Sequence, residues 1–142
     1  MSQSCTQIPY SQILGGTTSG SSTQLYTIDM GTTNDIQIVG GQTNDAAIVG
    51  TNGLQSPFLA GFNYSSTLKL WTKVFTLPSC FVRQVAINHP KEDKVAAMIN
   101  QSPSSSGDVA LTYVVTVNLV SGITLSSLQV NINSFDSTNY NI

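Results

Sequence analysis

Residues Phe58–Phe75 read FLAGFNYSSTLKLWTKVF, and this stretch decides the fold. An apolar run from Pro57 to Phe62 meets a polar turn, Asn63-Tyr64-Ser65-Ser66, and a strand returns from Thr67 to Phe75. Successive side chains of a strand point to opposite faces. Strict alternation predicts Leu68, Leu70, Thr72 and Val74 on one face, with Lys69, Trp71, Lys73 and Phe75 on the other. The unit is a β-hairpin, and it holds the chain's one Trp and two Lys whose stems can lie along an aromatic face.

Upstream and downstream the chain repeats this grammar. Leu25, Tyr26, Ile28 and Met30 form a strand ending at Gly31, and Thr32-Thr33-Asn34-Asp35 is a turn. Ile36–Val39 follows, and Gly40-Gly41 marks a bulge or a close backbone approach. Ala46–Val49 reads as a small extra strand in a long loop, and Ile8–Leu14 as a short strand stopped by Gly15-Gly16.

Beyond Pro78, Phe81–Asn88 alternates with Phe81, Arg83, Val85 and Ile87 on one face. His89–Asp93 is a charged turn, and Lys94–Ile99 is a strand by its length. Val109–Val120 is the clearest alternation. Val109, Leu111, Tyr113, Val115, Val117 and Leu119 share a face that needs a cover. Ser121-Gly122 turns the chain, and Ile123–Ile132 returns. No helix is expected. The predicted class is all-β, with two tandem four-stranded antiparallel units. Residues 1–24 are a polar N-terminal segment with an exchangeable strand, 25–80 the first unit, and 81–142 the second unit with a polar tail.

The two units correspond. Ile28-Asp29 lies 59 residues before Ile87-Asn88, and Phe62-Asn63 lies 55 before Val117-Asn118. Four strands recurring at this spacing fit propeller blades, and two similar sheets of a β-sandwich give the same signal. Asp35–Gly41, Ser56–Asn63 and Leu70–Phe75 together resemble the β-propeller repeat of secreted and surface proteins, over about residues 25–77. That resemblance implies architecture and no activity. Since a propeller takes 4 to 8 blades, it also implies either a longer chain or an assembly of copies.

Composition narrows the function. Only 8% of the 142 residues are charged, against about 25% in an average chain, and the net charge is −2. Such a surface cannot neutralise a row of phosphates, which argues against nucleic-acid partners. Ser, Thr, Asn and Gln replace the missing charge, as suits extracellular, cell-surface or virion-surface β-proteins. No apolar run reaches the ~18 residues of a membrane span. Met1–Tyr10 has neither the basic nor the apolar region of a signal peptide, so secretion implies a processed form.

Chemistry-bearing residues are sparse. His89 is the one histidine, which rules out a site of several histidines, and two cysteines are too few for a thiol cluster. No G-x-S-x-G elbow and no phosphate-cradling glycine loop is present. The seven carboxylates sit mostly at turns. No cofactor, metal or catalytic residue is expected, and the chain is read as a non-enzyme.

Cys5 and Cys80 allow one bridge, a stabilisation of about 4 kcal/mol in the loop model, with two separate buried thiols as the alternative. Asn63-Tyr64-Ser65 and Asn100-Gln101-Ser102 are N-glycosylation sequons, with Asn63 favoured by its turn. Trp71 offers a stacking surface for a sugar, or else a core side chain.

Three functions follow. The first is an extracellular structural protein that assembles with copies of itself, or with the remaining blades of a longer chain, into a sheath or filament. The second is a carbohydrate- or protein-binding propeller module. The third is a virion or tail component. Native mass separates the first from the second.

Overall fold

The computed structural model describes residues 19–49, 54–66, 68–77, 79–101 and 111–131. Its elements are β1 (Thr23–Met30), β2 (Ile36–Thr43), α1 (Ala46–Val49), β3 (Ser56–Asn63), β4 (Leu68–Val74), β5 (Cys80–Ile87), β6 (Lys94–Gln101), β7 (Leu111–Asn118) and β8 (Thr124–Asn131). Strands β1–β4 form one antiparallel sheet in sequence order, and β5–β8 form a second. The chain is all-β in two tandem four-stranded units. Ile8–Leu14 lies outside the described residues.

Two local expectations are corrected, and the two alternatives at Gly40-Gly41 are decided. Ala46–Val49 is a helical turn, not a strand. Buried Asp45 accounts for it: its Oδ1 accepts from Ala47 N at 2.9 Å, the bond of an N-cap. Gly40-Gly41 does not break β2, which runs on to Thr43. The bulge sits opposite, in β1 between Leu25 and Thr27. The glycines thus serve the close-approach alternative: a Cβ on Gly41 would meet the backbone of Gln24, and one on Gly40 would lie 2.6 Å from Val82 Cγ1.

The second correction concerns face assignment in two strands. The β3–β4 register shifts at Gly61/Phe62, pairing Gly61 with Trp71 but Phe62 with Lys69. Leu70 is therefore the extra residue, and the expected alternation does not hold across it. A second bulge, between Val82 and Gln84, absorbs Arg83. Val82 thus joins Val85 and Ile87 on one buried face, instead of facing away from them.

The sheets pack face to face. Ile36, Ile38 and Leu59 of the first meet Val82, Val85, Ile87, Val95, Ala97, Ile99, Val115 and Val117 of the second in one core. The face of β7 that needed a cover is thus covered by the chain's own first sheet. Val39, Phe58 and Ala60 form a smaller buried cluster on the opposite face of the first sheet.

The internal repeat survives in detail, at slightly different spacing. The β1 bulge at Leu25/Thr27 recurs in β5 at Val82/Gln84, 57 residues on. The β3–β4 shift at Gly61/Phe62 recurs between β7 and β8 at Thr116/Val117, 55 residues on. Asn63 Oδ1 accepts from Ser66 N and Oγ, both at 2.8 Å, and Asn118 Oδ1 accepts from Ser121 N at 2.9 Å and Oγ at 3.0 Å. Both are short polar turns closed by an Asn side chain.

The correspondence fixes how the sheets are related. Val82, Val85 and Ile87 answer to Leu25, Ile28 and Met30. Val82, Val85 and Ile87 face the first sheet, whereas Ile28 pairs with Val39 and Met30 with Gln37, on the face of the first sheet turned away from the second. The two units therefore pack head to tail, front of one on back of the next.

Candidate functional site: the seam between the sheets

Polar side chains join the two sheets where they meet, in three clasps. The first is Glu92, in the β5–β6 turn, whose residue is 1% exposed. Its Oε1 accepts from Thr32 N at 2.7 Å and Thr32 Oγ1 at 2.9 Å, and its Oε2 from Thr33 N at 2.9 Å and Asn34 N at 3.1 Å. Asn34 Nδ2 donates back to Glu92 O at 3.0 Å. His89 Nδ1 lies 3.2 Å from Oε1. Burial alone pushes the Glu92 pKa up. The N–H groups of Thr32 and Thr33, the Thr32 hydroxyl and the Asn34 N–H outweigh that burial and hold it down to about 2. A carboxylate on a cluster of backbone N–H groups is an occupied anion nest.

The second clasp is Trp71. Its Nε1 donates to Leu119 O at 2.9 Å, across the sheets. The ring lies between two glycines: a Cβ on Gly61 would be 2.6 Å from Cε2, and one on Gly122 would be 2.7 Å from Cδ2. The half-buried indole joins the sheets and packs against the core.

The third clasp covers the edge of β5. Thr27 Oγ1 accepts from Val85 N at 3.2 Å, and Asp29 Oδ2 accepts from Ile87 N at 2.7 Å. Two β1 side chains thus serve as the missing neighbour strand. Tyr26 adds a tilted ring contact with Phe81, centroids 5.3 Å apart.

The other singled-out residues stand apart from one another. Asn63 closes the β3–β4 turn, half-buried. Asn100 lies half-buried on β6, and its buried Oδ1 accepts no hydrogen bond among the described residues. Cys80 opens β5, buried, and its thiol is free, raised in pKa by burial. The structure thus forms no bridge at Cys80, and Cys5 lies outside the described residues. The buried site can hold a thiol without a partner because the surrounding core is apolar.

Sequence reasoning placed Glu92 as a turn residue and missed its clasp. The available signal was the facing turn Gly31-Thr32-Thr33-Asn34, whose glycine and small polar residues suit an anion. Among the described residues, no three His, Cys, Asp or Glu side chains gather as metal ligands, and no helix is long and apolar enough to cross a membrane. No protein-family model matches the chain, and no curated protein sequence matches it.

Proposed function

We propose that this chain is a non-enzymatic structural protein of an extracellular, cell or virion surface, built from β-repeats that associate with copies or further units of their own kind. The observation that carries the reading is β8. Thr124–Asn131 is an edge strand without a charge or a proline, and Thr124–Val130 are all exposed. Natural edge strands are usually blunted by Lys, Pro or a covering element, because their free N–H and C=O groups template pairing. Strand β4 carries Lys69 and Lys73, and β5 is covered by Thr27 and Asp29. Strand β8 carries neither Lys nor Pro, and no strand among the described residues pairs with its outer edge.

The neutral polar surface supports a location outside the cell. The propeller-blade reading of the units belongs to the same proposal, supported by their head-to-tail packing. A glycan at Asn63 also fits it, because the residue ends β3 at a turn. The polar side chains of the seam are engaged with backbone, as structural groups are.

Light scattering on the purified chain tests the reading, beside a Ser127→Pro variant that removes one strand donor. Assembly above 15.1 kDa that weakens in the variant is expected. A monomer of that mass at every concentration overturns it.

A further inference from the structure

We propose that copies of this chain join head to tail by repeating their own inter-sheet contact, with the β1 border of one copy docking on the exposed part of the outer face of the second sheet of the next, around Ala96, Val114 and Leu128. The inference rests on the self-assembly reading above and names the surfaces that carry it.

The register shows why these two surfaces are halves of one interface. Within the chain, Val82, Val85 and Ile87 insert against the first sheet and are 0%, 6% and 5% exposed. Their counterparts in the first unit are Leu25, Ile28 and Met30, which are 55%, 56% and 47% exposed. Three large apolar side chains therefore stand in water at positions that the second unit uses for its core. Val39, Phe58 and Ala60, at the centre of that face, are already buried, so the open part is its β1 border.

The other half is the back of the second sheet. The counterparts of Ile38, Leu59 and Gly61 there are Ala96, Val114 and Thr116, and the counterpart of Lys73 is Leu128. Val114 and Leu128 pair directly and are 37% and 63% exposed. Among the described residues of β6, β7 and β8, charge enters this face only at its turn end, with Lys94. An exposed apolar sheet face of this kind marks an interaction surface.

A second copy is the occupant because both halves sit on one chain and reproduce the two sides of a contact the chain already makes. Such a contact is heterologous. It does not close on a two-fold axis, so it builds rings or open filaments.

The contact between copies is weaker than the internal one, for reasons visible in the residues. Gln84 and Ala86 stand where Thr27 and Asp29 cover a neighbour's edge, and Ser126 stands where Trp71 reaches across. The assembly is therefore reversible with dilution, whereas the two sheets within the chain stay joined.

Sedimentation velocity on the full chain tests it with two charge substitutions at exposed sites, Ile28→Lys and Leu128→Lys. Circular dichroism checks that both variants keep the wild-type strand spectrum. Wild type is expected to show species beyond a dimer that grow with concentration, and each variant, carrying Ser127→Pro as well so that the β8 edge is also silenced, is expected to be monomeric alone. An equimolar mixture is expected to give a dimer and nothing larger, because one intact half survives on each variant. Undiminished assembly in both variants overturns this contact and leaves the self-assembly reading standing. So does a mixture that stays monomeric while wild type assembles. A wild-type chain that is monomeric throughout overturns both.

Discussion

The carboxylate of Glu92 occupies the space that a side chain on Gly31 would need. A Cβ built at residue 31 would lie 2.8 Å from Oε2 and 3.3 Å from Cδ. The glycine ends β1 and opens the turn whose N–H groups the carboxylate receives, so one residue's missing side chain makes room for the other's charge. The two lie in turns of different units, 61 positions apart by number. Their fit ties the β1–β2 turn of the first unit to the β5–β6 turn of the second.

The first prediction follows from the direction of the Glu92 shift. Its folded pKa of about 2 lies below the ordinary 4.5. The stability it supplies is therefore fully present above about pH 4.5, and it is lost as pH falls through about 2. Asp93, held down first by its hydrogen bond with Asn88, and Asp35, held down by Tyr64 and Ser65, act in the same direction. Urea midpoints should fall steadily below pH 4.5, and Glu92→Gln should lower the neutral midpoint and flatten the acid slope. An unchanged slope in the variant would show that the carboxylate is not what binds the turns.

A second prediction concerns the room around Trp71. Gly61→Ala should cost about 1–3 kcal/mol, the usual range for an overpacked site. Gly122→Ala should cost more, because its φ of 69° adds left-handed strain to the clash. The ring atoms nearest Gly61 are Cε2, Nε1 and Cζ2, and the single ring of Phe has no counterpart to Nε1 or Cζ2. Gly61→Ala should thus be milder in a Trp71→Phe background, and a double-mutant cycle by chemical denaturation reads that coupling. Strict additivity would mean that the indole does not set the constraint.

Cys80 supplies a third. Its side chain is buried, and burial raises its thiol pKa, so the reactive thiolate is scarce in the folded state. Alkylation at pH 8 should be slow in native protein and rapid in denaturant. Peptide mapping that returns Cys80 oxidised to Cys5 would contradict the free thiol.

Much of the fold was legible because side-chain period is a local property. The turn at Asn63–Ser66, the apolar face of Val115 and Val117, and the division into two units all follow from short windows of sequence. What escaped was non-local or cancelled the period. The extra residues Arg83 and Leu70 shift alternation by one, and nothing in their identity announces a bulge. Val82 consequently belongs with Val85, and simple counting put it opposite. The seam was illegible for another reason. Glu92 and Trp71 acquire partners only when the sheets stack, and no window of sequence contains Glu92 with Thr32, or Trp71 with Leu119. Asp45 was readable in principle, as an Asn-Asp pair before two alanines. Its capping role was lost because four residues are too few to show a helical period.

The last prediction tests the covered edge of β5. Asp29 Oδ2 accepts from Ile87 N at 2.7 Å, while its Oδ1 accepts from Met30 N at 2.9 Å. Asp29→Ala leaves the Ile87 N–H without that acceptor beside a 5%-exposed side chain, a loss of about 1–3 kcal/mol. Asp29→Asn keeps one acceptor oxygen and should lose less. Thr27→Val removes the longer bond to Val85 N, at 3.2 Å, and should cost about 1 kcal/mol. Amide hydrogen exchange distinguishes this from general destabilisation. In Asp29→Ala, the Ile87 amide should lose more protection than Val95 and Val117, which pair deeper in the same sheet. Equal loss across all three would mean that Asp29 steadies the fold without covering the edge. Preferential loss at Ile87 would establish that a side chain of one sheet substitutes for a strand at the border of the other.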